Sequence, residues 1–415
     1  MRGLTAFDRR LSPQSPRPLT VAFSGGGDSL ALLLLTKQWA DAHGRRVVAL
    51  TVDHGLQPAS AEWTERCRAT AARLGIGFEA LRWEGEKPTR GLPAAAREAR
   101  HRLLVNAARG LGAKVLLMGH TADDLLEAAA MRADGSTVPD PREWAPSPAW
   151  PEGRGVFVLR PLLETRRAEL REWLTERGET WIDDPANEDP RFARARARRL
   201  APPPPWGEGA GGGGVSSASV GVAPPPQPLP ARGRGFSERF GVLRAERPLT
   251  EPEVAVACLC AAGTTRPPRG DRLHRLTQRL NSAETFTATL AGSRIEASPT
   301  SVLFMRDAGE TARGGLQPIR LAPNQPTVWD GRFEVTATDP ATVAPLKGHS
   351  ARLPPKEREA LRAVPVAARA ALPILVTAEG VTCPLLAQAP TAKVTPLALE
   401  RFRAAMGFIE CEEDL

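Results

Sequence analysis

The residues best suited to chemistry lie near the start of the chain, in the run Ser24-Gly25-Gly26-Gly27-Asp28-Ser29. The apolar run LTVAF (19–23) precedes it, and the helix-like segment SLALLLLTKQWA (29–40) follows. Glycines between a strand and a helix let the backbone approach an anion, and the N–H groups of the helix start point at that anion. The Ser24 and Ser29 hydroxyls add hydrogen bonds to phosphate oxygens, and Asp28 is placed to hold a magnesium ion beside them. No Lys follows as in G-x-x-x-x-G-K-[ST], and the spacing is not G-x-G-x-x-G, so this is neither of the two common nucleotide loops. Four more clusters accompany it. Asp53 and His54 close a second apolar run, VVALTVDH (47–54), where open α/β sheets place their ligands. Gly119-His120-Thr121-Ala122-Asp123-Asp124, with Glu127, puts carboxylates at a helix start. Asp124 there is a candidate to bind magnesium or an ammonium, or to accept a proton; simple complementation of the helix dipole is the competing reading for both aspartates. Arg97 and Arg100 are three apart and share a helix face, and Arg191 to Arg199 form a basic run suited to RNA phosphates, a salt-sensitive contact.

The elements that must position these residues follow from periodicity. Short apolar runs at 19–23, 47–54, 78–83, 114–120 and 156–163 alternate with helical patterns at 29–40, 60–75, 93–112, 123–133 and 165–178. Alternation of this kind predicts an α/β domain, a doubly wound parallel sheet with helices on both faces, over residues 1–200. Residues 134–155, rich in Pro and Gly, read as a long loop. Residues 201–235 are low in complexity and read as a disordered Pro/Gly-rich linker or insertion. A smaller helical or α+β second domain is expected over 236–415, with helices in 237–290 and short strands in 291–337; periodicity is weak beyond 338.

The bulk composition narrows the function classes. The chain has 415 residues, 42% hydrophobic, and a formal net charge of +8 supplied mostly by arginine. That length supports more than one core, and the charge favours a polyanionic partner. No apolar run is long enough to span a membrane and the N-terminal segment has no signal-like apolar region, so a cytoplasmic protein without membrane contact is expected. Five scattered cysteines with no C-x-x-C argue against a disulfide framework or a zinc site, and Cys258 and Cys260 in EVAVACLCAAG read as core residues. Nothing in the sequence distinguishes a monomer from a dimer.

The order of these blocks carries a resemblance. S-G-G-x-D-S resembles the PP-loop of the ATP pyrophosphatase superfamily, of adenine nucleotide α-hydrolase-like fold. Those enzymes cut ATP between the α- and β-phosphates. V-D-H-G-L at 52–56, A-R-x-x-R at 96–100, G-H-x-x-D-D-x-x-E at 119–127, R-P-L-L at 160–163, D-P-x-N at 184–187 and the arginine tail from Arg191 are similar to the tRNA(Ile)-lysidine synthases. The chain departs from that pattern at Gln57, Thr121, Ala128 and Ala195. Trp329-Asp330-Gly331-Arg332-Phe333 looks like a second-domain segment of some relatives.

The resemblance implies a two-step reaction. A wobble-position cytidine of tRNA(Ile) with a CAU anticodon is adenylated by ATP with Mg2+, and L-lysine then displaces AMP. It also implies the candidate site. Ser24, Gly25, Gly26, Gly27, Asp28, Ser29 and Asp53 would contact ATP, and Asp28 and Asp124 would hold the metal. Asp124, His120, Arg100 and Arg194 would serve catalysis. A tRNA thiolation enzyme shares the loop but needs reactive cysteines, and Cys67 stands without a partner thiol in this domain. An amidating synthetase of the same superfamily would not be expected to combine V-D-H-G-L with D-P-x-N, and a non-catalytic RNA binder would have no use for a complete loop.

Overall fold

The computed structural model describes residues 3–57, 59–133, 135, 140–183, 235–282, 284–310, 315–387 and 389–415. They divide into two compact units, one holding the described residues up to 183 together with Ile409–Leu415, the other running from 235 to 408.

The first unit is an α/β sandwich. In chain order it contains α1 (Gly3–Arg10), β1 (Leu19–Ala22), α2 (Gly27–Ala42), β2 (Val47–Asp53), α3 (Ser60–Arg73), β3 (Gly77–Arg82), α4 (Leu92–Gly110), β4 (Val115–Leu117), α5 (Ala122–Ala133), β5 (Trp144–Pro146), β6 (Phe157–Leu159) and α6 (Arg167–Thr175). Six strands form one sheet in the order β3-β2-β1-β4-β6-β5. All neighbours are parallel except β5, which pairs antiparallel with β6 at the edge. This edge strand falls within the stretch read as a loop. Three residues ending in Pro are too short for a periodic signal, and only pairing with Phe157–Leu159 makes them a strand.

Period-2 alternation divides the central strands between two cores. Leu19, Val21, Val47, Ala49, Val115 and Leu117 face α1, α2, α3 and α6. Val48, Leu50, Leu116 and Val158 face Leu104, Val105 and Ala108 of α4. Helices therefore cover both faces, as the near-continuous apolar strands require. The reversal of strand order around β1 and β4 opens a crevice at the strands' carboxyl ends. The tail Ile409–Leu415 returns to this unit. Glu412 accepts two bonds from Arg45, at 2.6 and 2.9 Å, with both side chains 1% exposed.

The second unit carries β7 (Ser237–Arg239), β8 (Val242–Glu246), α7 (Glu251–Ala262), α8 (Asp271–Leu280), β9 (Phe286–Leu290), β10 (Ser293–Ala297) and β11 (Ser301–Arg306), with an antiparallel sheet in the order β7-β8-β11-β10-β9. The two expected helices are present, α7 with a complete Thr250/Glu253 capping box, but strands flank them where a mainly helical stretch was expected. Val254, Cys258, Leu273 and Leu280 pack on Ile295, Val302 and Phe304. Cys258 and Cys260 are fully buried, and burial pushes both thiols up to about 12, so they serve as core residues. Two smaller antiparallel sheets complete the unit. Between two paired strands, Asp330 of the W-D-G-R-F segment bonds Arg332 at 2.6 Å and lies 3.4 Å from Arg306, all nearly solvent-free, so this segment holds the unit together.

Candidate active site

The loop after β1 has the shape its glycines allow. Gly25 has φ +82, and the Cβ of any other residue there would lie 2.5 Å from Ile182 Cδ1 and 3.0 Å from Cys67 Sγ. The Ile182 N–H donates to the Gly25 carbonyl at 2.9 Å, so Trp181-Ile182 straps the loop from behind. The Ser29 hydroxyl donates to the Gly26 carbonyl at 2.9 Å and accepts from the Ser24 N–H at 3.3 Å. Gly26 begins α2 without a side-chain cap, leaving the first N–H groups of the helix for an anion. Gly119, after β4, is needed for a different reason: a Cβ there would meet the Asp28 carbonyl at 3.0 Å. This close approach places the start of α5 beside the start of α2.

That juxtaposition gathers carboxylates around one guanidinium. Arg167, at the first turn of α6, donates from Nε to Asp28 at 2.9 Å and from Nη1 to Glu127 at 3.3 Å, with Nη2 3.8 Å from Asp124. Burial pushes the Asp28 carboxyl above the usual range; Arg167 opposes this and the Asp124 charge adds to it. Burial also works against the Arg167 charge, but Asp28, Glu127 and Asp124 outweigh it and hold the guanidinium protonated. Among the described residues, Arg167 is the one cation in direct contact with these three carboxylates. Asp28 and Asp124 already converge on a single cationic group, and oxygen donors suit Mg2+, which takes one or two carboxylates plus phosphate oxygens. Among the described residues no three His, Cys, Asp or Glu side chains form a ready-made metal cage, so phosphate oxygens would have to complete the shell.

With this geometry in hand, the comparisons with known proteins decide the family. A family model described as a PP-loop domain matches residues 4–203. The chain is 50% identical to the tRNA(Ile)-lysidine synthase of Caulobacter vibrioides, over 98% of this chain and 97% of that one. It is 36% identical to the enzyme of the same name from Hyphomonas neptunium, over 77% of this chain and 89% of that one. The corresponding figures for Rhizobium meliloti are 35%, 80% and 76%. The chain belongs to the tRNA(Ile)-lysidine synthase family. It is accordingly an ATP-using enzyme of the PP-loop class.

Within that family site, the remaining candidates take distinct places. Asp124 is 8% exposed and accepts from the Thr121 N–H at 2.9 Å and the Thr121 hydroxyl at 3.1 Å. Thr121, a departure from the family pattern, thus orients the carboxylate. Asp123 turns away, capping α6 through the Arg167 N–H at 2.8 Å and pairing with Arg166 at 3.0 Å. His120 is buried and accepts from Arg160 Nε at 3.2 Å through Nδ1. Burial and the charge of Arg97 bring Arg160 down to about 10. Asp53 accepts from the Gly55 N–H at 2.7 Å; burial pushes its carboxyl up, but bonds from Gly55 and Ser60 outweigh this and leave it below the usual range. Arg100 is half-buried beside His54, whose imidazole is held neutral by burial and then by the Arg100 charge.

The site is therefore bipolar. Asp28, Asp124 and Glu127 form an acidic pole, and Arg97, Arg100 and Arg160 form a basic one. Arg194 and the D-P-x-N block lie outside the described residues. Sequence reasoning missed Arg167 and Arg160 as site residues. R-P-L-L was noticed only as a family signature, and Arg167 in TRRAELREWL is one arginine among several on an amphipathic helix, with no local mark of its partners. Cys67 is buried and its thiol is pushed up to about 11 by burial, a resting core residue rather than a sulfur carrier.

Proposed function

We propose that this protein adenylates the wobble cytidine of tRNA(Ile) with a CAU anticodon and joins L-lysine to its C2, releasing pyrophosphate and AMP. The observation that carries this reading is the juxtaposition of an uncapped helix start behind Gly25–Gly27 with the Asp28, Asp124 and Glu127 carboxylates.

In the first step the C2 carbonyl oxygen attacks the α-phosphorus, and the bond to the bridging oxygen of pyrophosphate breaks. The backbone N–H groups of the loop and the Ser24 and Ser29 hydroxyls receive the growing charge on the leaving group, which is electrostatic catalysis. Asp28 and Asp124 would hold Mg2+, which neutralises the phosphates when bound. Asp53, at the carboxyl end of β2, is placed for the nucleoside part of ATP. In the second step the lysine amine attacks C2 and AMP departs with the oxygen. The acidic pole attracts the ammonium form, and the proton that the attacking nitrogen loses passes to a carboxylate of that pole not engaged by the metal. Arg100, His120 and Arg160 form the wall that meets the base and its phosphate, and Arg194 is assigned to the same RNA contact. The target base must leave its stack, which an anticodon loop permits more readily than a duplex. Among the described residues no helix is long and apolar enough to cross a membrane, and a tRNA substrate suits a cytoplasmic reaction.

The test is incorporation of radiolabelled lysine into a CAU-anticodon tRNA(Ile) transcript with ATP and magnesium. Label that requires ATP and disappears with Asp28→Ala supports the assignment. A folded, ATP-binding protein that incorporates none overturns it.

A further inference from the structure

We propose that the arginine face of α8, with the loop before it, is a docking surface for the sugar–phosphate backbone of the RNA substrate. This rests on the RNA-modifying reading above and adds to it a named surface on the second unit.

The segment RPPRGDRLHRLTQR places Arg266, Arg269, Arg272, Arg275 and Arg279 within 14 residues, all exposed, with Asp271 the sole acid among them. Leu273, Thr277 and Leu280 are buried and fix the helix against its sheet. At 100° per residue, Arg272, Arg275 and Arg279 fall within about 60° of arc, well away from the buried side, and span about 10 Å of helix axis. They therefore present one cationic strip rather than a scattered shell. Among the described residues, Arg266, Arg269, Arg272 and Arg275 take part in no hydrogen bond or ion pair. Arg279 is held by Glu284 at 3.0 Å and lies 4.0 Å over the Phe286 ring. The other nearby acid, Glu251, is taken by His274 at 3.1 Å.

Like charges three and four apart destabilise a helix. Internal carboxylates could have cancelled the repulsion at i+4, yet those positions carry Leu276 and Arg279. A polyanion supplies the missing counter-charge. Guanidinium forks bind phosphate through paired N–H donors, and several unpaired forks in one line match a repeating phosphate chain better than they match a single anion. The one aromatic ring in the segment, His274, is engaged by Glu251, so the surface grips backbone and leaves sequence reading to other parts of the protein.

The experiment uses the full chain and a CAU-anticodon tRNA(Ile) transcript, with affinity measured by fluorescence anisotropy across a salt series. In R269Q/R272Q/R275Q the Kd should rise about tenfold at moderate salt, and the slope of log Kd against log salt should shrink by about 2 to 3, since each lost phosphate contact removes ~0.9 from a duplex slope. R269K/R272K/R275K keeps the charges and should retain the slope. ATP binding and the melting temperature should match the unmutated protein in both variants, because none of the three side chains is buried. A glutamine variant with unaltered Kd and slope overturns the surface. Lysine incorporation that persists while the variant binds tRNA normally strikes this proposal and leaves the activity standing. Tight, stripe-dependent tRNA binding with no incorporation does the reverse.

Discussion

Replacing Gly25 with alanine tests how the loop works. Gly25 has φ +82, and an alanine Cβ would sit 2.5 Å from Ile182 Cδ1 and 3.0 Å from Cys67 Sγ. The left-handed conformation costs an L-residue roughly 1–2 kcal/mol. The Ile182 methyl can rotate away, at about 1 kcal/mol for leaving its rotamer. Together these predict a loss of about 2–3 kcal/mol, equivalent to roughly 5–10 °C in Tm for a unit of this size. The kinetic effect should exceed the stability effect. The Ile182 N–H holds the Gly25 carbonyl at 2.9 Å, so moving Ile182 moves the anion-binding backbone with it. A displacement near 1 Å at a reacting centre is worth about 100-fold in rate. The assay is ATP-dependent lysine incorporation, with kcat/KM for ATP set beside thermal melting for Gly25→Ala, Ile182→Ala and the double variant. Ile182→Ala alone removes buried methyl groups and should cost about 2 kcal/mol. In the double variant the clash is gone, so the combined loss should fall short of the sum, the mark of two residues in contact. Strict additivity would refute the contact between the Ile182 side chain and this loop. A Gly25→Ala enzyme with unchanged kcat/KM would refute the premise that this backbone approaches the phosphates.

Three further outcomes are expected. Arg167→Gln strands Asp28, Asp124 and Glu127 together and should lower stability by about 3 kcal/mol with loss of lysine incorporation, whereas Arg167→Lys should recover part of the stability; urea denaturation reads both, and an unaffected glutamine variant would refute the cluster's role. Glu412→Ala leaves the buried Arg45 guanidinium without its carboxylate and should cost about 3–5 kcal/mol in urea unfolding; a change below ~1 kcal/mol would mean the tail does not contribute as its geometry implies. Both buried ring nitrogens of His101 find no hydrogen-bond partner among the described residues, and burial, then the charges of Arg100 and Arg97, bring it down to about 3. The unfolded chain then binds a proton that the folded one refuses below the ordinary pKa of about 6.5, so stability should fall as pH drops through that value, by about 1 kcal/mol per pH unit from this group. His101→Leu should remove that part of the slope between pH 6.5 and 4, and parallel curves for the two proteins would exclude it.

The sequence by itself determined much of the first unit. Apolar runs that alternate with helical patterns already dictate a parallel sheet covered on both sides, because such strands have no face for water. The Gly-rich run between a strand and a helix determined the anion loop, since the requirement is local: a left-handed turn, then free N–H groups. What local pattern could not hold was decided by tertiary contact. Gly119 is needed only because Asp28 passes 3.0 Å from it, from 91 positions away in the chain. β5 exists only because β6 lies beside it, and α6 looks amphipathic and ordinary until its Arg167 meets carboxylates from α2 and α5. Pairs of this kind cannot be read from spacing, because charge partners are selected by the distance between folded elements and not by their separation along the chain. The return of Ile409–Leu415 to the first unit has the same origin: Glu412 is an ordinary acid in sequence, and burial opposite Arg45 makes it a fixed partner.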